Sequence, residues 1–214
     1  MDKKFLAIIC VIILGFAGFI YFKQKNNTDN TSTVNLSEHT KGAGNKRVTL
    51  VEYGDYQCPV CGQYYQMLQA IESKYGDDIT FQFRNFPLDA IHPNARAAHR
   101  AAEAAGMQGK YFEMYDLLYQ NQSTWSASTN SSSIFESYAT RLNLDLDKYR
   151  SDFLSEDVNN VINADAAEGQ KLGVEGTPTF YLNGRKLSDD ERASYDNLVK
   201  AIDAEIAKVT TSQN

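Results

Sequence analysis

The stretch Val48-Thr49-Leu50-Val51-Glu52-Tyr53, followed within five residues by Cys58-Pro59-Val60-Cys61, decides how this chain is read. The first part is a β-branched and apolar run with the character of a strand. The second opens what reads as a helix from about 58 to 75. A strand that delivers a cysteine to a helix N-terminus places its sulfur among unpaired backbone N–H groups, at the positive end of the helix dipole. The Cys58 thiolate is favoured there, which makes it both a nucleophile and a good leaving group near neutral pH. Pro59 suits the first helical turn, since it has no N–H to satisfy and its φ is already near the helical value. Cys61, one turn on, lies within reach of a mixed disulfide on Cys58. A thiol redox site is therefore expected, with Cys58 as nucleophile and Cys61 as resolving thiol.

Two blander assignments compete. Structural zinc needs four N or S ligands, and outside the apolar N-terminal segment the chain has only this cysteine pair, with His39, His92 and His99 scattered. No metal and no cofactor is expected. A static disulfide closing so short a loop would remove little unfolded-chain entropy.

A second motif lies far downstream. Gly173-Val174-Glu175-Gly176-Thr177-Pro178-Thr179-Phe180-Tyr181-Leu182-Asn183-Gly184 reads as a loop, a strand and an Asn-Gly turn. Proline at the start of a strand is by itself an ordinary edge residue. Alongside a Cys-x-x-Cys helix it gains meaning, because the two motifs in this order resemble the thioredoxin superfamily over residues 46 to 208. The chain is more closely similar to the DsbA-like branch of extracytoplasmic disulfide oxidoreductases, including the membrane-anchored members of Gram-positive bacteria. The segment Phe86-Pro87-Leu88-Asp89-Ala90-Ile91-His92-Pro93-Asn94-Ala95 and the Ala-rich stretch after it also resemble that branch.

The resemblance implies an α/β thioredoxin fold with an inserted all-helical subdomain. It implies a cis peptide bond at Thr177-Pro178, beside the sulfurs, where backbone would pair with a substrate chain. It also places Glu52, six positions before Cys58, beneath the disulfide. Read without the family, Glu52 on an inward strand face would be costly unless neutral or paired, so its pKa should be raised and it would exchange protons with Cys61. The other possibility is that it faces solvent, opposite Val51. The chain departs from the best-known oxidising members, which carry a histidine between the cysteines. Here the pair is Pro59-Val60, so the thiolate should rest mainly on the helix dipole and backbone donors, and a milder oxidant is expected; the alternatives are a disulfide reductase or isomerase of the same fold and, in another class, a non-catalytic peptide-binding or chaperone module.

The 214 residues, 43% of them hydrophobic, suffice for one domain or a domain with an insertion. A net charge of −6 argues against nucleic acid as partner. Residues 1–4 are expected to be a cytoplasmic N-terminus. The uncharged run 5–22, flanked by lysines, is just long enough to span a bilayer and is read as an uncleaved signal-anchor, the rival being a cleaved signal. Cys10 within it reads as apolar filler. The polar stretch 23–45, which contains a sequon at Asn30, reads as a flexible tether. The catalytic part is expected on the extracytoplasmic side of the cell membrane, as a monomer.

Residues 46–88 and 174–208 are assigned to the thioredoxin domain, 89–173 to the helical insertion and 209–214 to a tail. The insertion is too long for a loop. By resemblance, the partners are reduced or unfolded secreted proteins and a quinone-linked membrane protein that reoxidises the site. Several residues receive plain readings. His92 is taken as a loop histidine, His99 as a helix-surface histidine and Trp125 as packing. Asp189-Asp190-Glu191 is taken to favour the last helix through its dipole, and Asp145 and Asp147 are given no role.

Overall fold

The structure, a computed structural model, describes residues 35–211. Five strands form one sheet in the order β1-β3-β2-β4-β5: β1 Thr40–Lys41, β2 Val48–Gly54, β3 Ile79–Asn85, β4 Thr179–Leu182 and β5 Arg185–Lys186. The central strand β2 runs parallel to β3 and antiparallel to β4. The parallel pair requires a crossover, supplied by helix α1, Pro59–Tyr75. Between β3 and β4 run α2 Ala95–Gly106, α3 Tyr111–Gln120, α4 Gln122–Trp125, α5 Ser131–Arg141, α6 Leu146–Leu154 and α7 Glu156–Lys171. The chain ends with α8 Asp189–Arg192 and α9 Tyr195–Thr211. This is a thioredoxin-like α/β fold with a large helical share.

The alternation of β2 explains its central place. Val48, Leu50, Glu52 and Gly54 share one face and are all buried. Val48 and Leu50 pack with Leu68 and Ile71 of α1, with Phe180 and Leu182 of β4, and with Leu198 and Ile202 of α9. The opposite face carries Tyr53, which packs with Phe86, Val174 and Tyr181. Helix α2 is built largely of alanine, and the small side chains let it lie against α3, α5, α6 and α7 at once. The Asn183-Gly184 dipeptide, with φ of 47° and 79°, turns β4 into β5 in the left-handed conformation that an Asn-Gly hairpin requires.

Three expectations need correction. The tether assigned to 23–45 ends early, because its last part belongs to the folded body. Strand β1 pairs with β3 and forms the edge of the sheet beyond it, and Ser37 is buried, donating from its backbone N–H (3.0 Å) and hydroxyl (2.6 Å) to Asp165. Asp165 also accepts from Arg84 (3.1 Å) and from the backbone and side chain of Asn85 (2.9 and 2.7 Å). A polar composition looks flexible by count, yet these polar residues answer buried partners on α7 and β3. His99 is not on a helix surface. It is fully buried, its Nδ1–H bonded to Asn85 Oδ1 at 2.7 Å and its ring against Tyr56 and Phe83, and burial holds its pKa well below the usual histidine range. Asp189-Asp190-Glu191 do not merely precede the last helix: they form α8 themselves, started by a Ser188–Glu191 capping box.

Trp125 packs in the core with its indole N–H on the Leu118 carbonyl, and Asp145 caps α6. The readings of residues 1–4 and 5–22, of Cys10 and Asn30, and of tether residues 23–34 lie outside the described residues. Among the described residues no helix is long and apolar enough to cross a membrane.

Ser37→Ala should lower stability by about 1–3 kcal/mol, since it removes a donor from a buried carboxylate. The midpoint of urea unfolding measures this. An unchanged midpoint would mean that the Ser37 segment is only loosely docked.

Candidate active site

Strand β2 ends at Gly54, and the four residues Asp55-Tyr56-Gln57-Cys58 turn the chain into α1 with Cys58 at the N-cap. The turn is held from three directions. The Cys58 N–H donates to the Asp55 carbonyl (3.1 Å), and the Asp55 side chain accepts from Gln57 N–H (2.7 Å). Gln57 in turn accepts from the backbone N–H of Asn94 (2.6 Å) and donates to the Ser126 carbonyl (2.8 Å). From the helical segment, the Gln122 amide donates to the carbonyls of Tyr56 (2.7 Å) and Cys58 (2.9 Å). That approach needs a residue without a side chain at position 62, because a Cβ on Gly62 would lie 2.6 Å from Gln122 Oε1.

Both cysteines are thiols here, and their surroundings drive them apart. Cys61 is fully buried, and burial, followed by its hydrogen bond to Cys58 and the nearby Glu52, raises its pKa well above the usual thiol range. Cys58 is 6% exposed, and its pKa is brought down to about 5. The largest cause is the Cys61 thiol donating to it; burial opposes, and the backbone N–H groups of Cys61 and Val60 and the Thr177 side chain add to the lowering. The resolving cysteine thus stabilises the nucleophile more than any single backbone donor at the helix N-terminus. The reading from sequence gave that weight mainly to the dipole and backbone donors.

The Thr177-Pro178 peptide is cis and lies against Cys58. As a thiol, Cys58 donates to the Thr177 carbonyl at 3.4 Å, and the buried Thr177 hydroxyl is then without a partner. Ionisation of Cys58 gives that hydroxyl an acceptor. Val60 at the exposed rim, together with Thr177, Pro178, Glu175 and Leu187, lines an open groove of about 700 Å³. Pro59 is exposed beside Val60.

Glu52 is 1% exposed, and neither carboxyl oxygen has a hydrogen-bond partner. Burial first, and the Cys58 charge second, push its pKa up to about 8. It sits opposite Phe83 and Phe180 in the ladders of β2. A Cβ at Gly54 would strike the Phe83 ring at 2.4 Å and approach Glu52 Oε1 to 3.1 Å, so a glycine there leaves room for both. The structure thus brings Cys58, Cys61, Glu52, Thr177 and Pro178 to one place, with Pro59 and Val60 at its rim. Among the described residues no cluster of His, Cys, Asp and Glu could hold a metal ion.

Sequence reasoning missed Asp55, Gln57 and Gln122. Asp55 carries a weak signal, an acidic residue between a strand end and a cysteine. Nothing in the sequence ties Gln122 to Cys58, which lies 64 residues away.

Known proteins resemble this chain in sequence and in fold. The chain is 39% identical over 150 residues to the Na(+)/H(+) antiporter NhaA 1 of Salinispora arenicola, a match covering 70% of this chain but only 22% of that protein. It spans 26% of the corresponding antiporter of a Mycobacterium species. A Bacillus cereus protein described as "Probable disulfide bond formation protein D" is 28% identical over 211 residues, 94% of each chain. In fold, oxidised BdbD from Bacillus subtilis matches with a TM-score of 0.69 at 22% identity, over 78% of this chain and 92% of that one. Wolbachia pipientis α-DsbA1 matches with 0.69 at 20% identity, over 82% and 94%. The Thioredoxin family model matches residues 35–204, and the chain belongs to that family.

Proposed function

We propose that this protein is an extracytoplasmic, DsbA-like thiol:disulfide oxidoreductase that introduces disulfides into secreted proteins through its Cys58–Cys61 pair. The observation that carries this reading is the opposite displacement of the two thiols, Cys58 down to about 5 and Cys61 well above the usual range. A thiolate stabilised at neutral pH favours the dithiol form, which makes the corresponding disulfide a stronger oxidant.

A substrate thiolate attacks Cys58 Sγ of the oxidised pair, the Cys58–Cys61 bond breaks, and Cys61 leaves as a thiolate. Glu52, neutral at pH 7 and beneath the pair, is suited to deliver the proton that Cys61 takes up. A second substrate thiolate then attacks the substrate sulfur of the mixed disulfide and expels Cys58 as its stabilised thiolate. The groove beside Pro178 would hold the substrate backbone. Reoxidation is assigned, by resemblance, to a quinone-linked membrane protein, and segment 5–22 to a single-pass anchor. Residues 89–173 are taken as the helical insertion. The name of the Bacillus cereus relative supports the disulfide-forming direction.

Equilibrating the protein with glutathione buffers gives the reduction potential that tests this. A value near or above roughly −180 mV is expected of a disulfide donor, and a value near roughly −270 mV would make the protein a reductase.

A further inference from the structure

Cys58 stands between two clefts. Val60 lines the groove beside Pro178, and Gly62, two residues on and so about 200° around the helix, lines a second cleft of about 320 Å³ together with Pro59. This second cleft opens between α1, α3 and α4, and its chemistry differs from that of the first. The groove beside Pro178 carries Glu175, Arg185, Lys186, Asp189, Glu191 and Arg192. The second cleft has no charged residue: its polar side chains are the amides of Gln63, Gln66, Gln120 and Gln122 and the Ser123 hydroxyl, with Tyr119 beside them. Gln122 is fixed within it. Both hydrogens of its Nε2 are taken, by the carbonyls of Tyr56 (2.7 Å) and Cys58 (2.9 Å), and Oε1 is left as an acceptor held beside the backbone of the nucleophile. Among the described residues nothing donates to that oxygen, and Gly62 keeps the space over it open, since a Cβ there would lie 2.6 Å away. The side-chain amides of Gln63 and Gln66 are exposed on α1 and are likewise unbonded among the described residues. Gln120 donates from Nε2 to the Tyr65 hydroxyl (3.0 Å), which leaves its own oxygen free, and the Tyr119 hydroxyl is buried without a partner.

We propose that this amide-lined cleft is a second substrate subsite, which takes the main chain of a polypeptide captured on Cys58, on the side of its cysteine opposite to the stretch lying along Pro178. The inference rests on the exchange chemistry above and deepens it. A chain joined to Cys58 through a cysteine leaves the sulfur in two directions, and the groove beside Pro178 accounts for only one of them. A side-chain amide offers both a donor and an acceptor, as a peptide group does, so a wall of glutamines can meet the N–H and C=O groups of an extended chain. Gln122 Oε1 is the fixed member of that wall: its place is set by two hydrogen bonds before any substrate arrives, so little ordering entropy is lost when a peptide N–H donates to it. Gln63 and Gln66 are free to follow the chain further out along α1. An uncharged lining neither attracts nor repels charged side chains, so the subsite reads peptide groups and accepts many sequences.

The test traps a peptide on the full-length protein carrying Cys10→Ala and Cys61→Ser. An extended peptide of about nine residues spans about 30 Å, enough to cross both clefts, and its single central cysteine is activated as a thiopyridyl disulfide. Cys58 attacks the peptide sulfur, the new disulfide forms and thiopyridine leaves. One peptide carries a benzophenone side chain before the cysteine, another carries it after, and mass mapping locates the crosslink made on illumination. One of the two should label residues 63–66 or 119–123, and the other residues 175–192. Labelling confined to 175–192 with both peptides, or scattered outside both clefts, would overturn the proposal. Gln63→Lys with Gln66→Lys should then speed capture about two- to fivefold at low salt when glutamates lie on the labelled side of the cysteine, and leave it within about twofold when they lie on the other side. An equal rise for both placements would mean that the charges act at long range with no chain seated in the cleft. A Cys58 that takes up no peptide at all would sink the exchange reading and the subsite with it, whereas a trapped peptide with no label in the second cleft sinks the subsite alone.

Discussion

Replacing Cys58 by Ser is expected to bring thiol–disulfide exchange to the uncatalysed rate, a loss on the order of a thousandfold or more, whereas Cys61→Ser should leave capture intact and accumulate a mixed disulfide with substrate. The asymmetry follows from the site. Cys58, with a pKa near 5, is almost fully ionised at pH 7, while a serine hydroxyl is not ionised at all. Cys61 is buried and attacks only after capture, so replacing it by Ser, which keeps a donor beside Cys58, removes the exit and not the entry. Reduction of an insulin-like substrate measures the first effect, and mass analysis of alkylated, non-reduced protein measures the second. Because the Cys61 thiol donating to Cys58 is also the largest single cause of the low Cys58 pKa, Cys61→Ala, which leaves no donor at that position, should move the Cys58 alkylation midpoint upward. Equal loss of activity with both variants and no trapped species would point to a binding module in which the cysteines are structural.

Glu52→Gln should make the protein more stable and a poorer catalyst. The folded-state pKa of about 8 lies above the ordinary value of 4.5. Between these two values the unfolded chain releases a proton that the folded chain keeps, so folding stability falls as pH rises from 4.5 to 8. Each pKa unit is worth about 1.4 kcal/mol, which puts the penalty at about 3 kcal/mol at pH 7 and about 5 kcal/mol above pH 8. Gln is similar in shape and does not titrate, so the variant should gain that stability at neutral and alkaline pH and match the parent below pH 4.5. The same change removes a proton carrier beneath Cys61, and exchange should slow by about ten- to a hundredfold. Thermal melts of both reduced proteins from pH 4 to 9, with turnover at pH 7, check the two effects. Parallel stability curves would mean that Glu52 is not held neutral.

Much of this was legible in one dimension because the signals are local. The β-branched run at 48–53, the cysteine pair with Pro59 at a helix start, and the Asn183-Gly184 turn each express a backbone preference carried by neighbouring residues. Helices such as Leu146–Leu154 and Ala95–Gly106 likewise carry their own signal, an apolar or alanine periodicity. The short elements escaped. Strand β1 is two residues of Thr and Lys with no pattern of its own, and it exists because β3 offers an unpaired edge.

By itself, then, the sequence determined the first long strand and the helix after it, the strand and turn that follow Thr177-Pro178, and the pairing of a nucleophilic with a resolving thiol in one motif. Only the tertiary structure decided which polar residues would be buried and what they would meet. Ser37 and Asp165 are 128 residues apart, Gln122 and Cys58 64, and His92 and Asp55 37. Hydrogen bonds and desolvation depend on distance in space, and nothing in residue order encodes those distances. The same reason separates Cys58 from Cys61: two identical thiols in one motif differ because one sits at a helix N-cap and accepts hydrogen bonds from the other thiol and from backbone N–H groups, while burial dominates at the other.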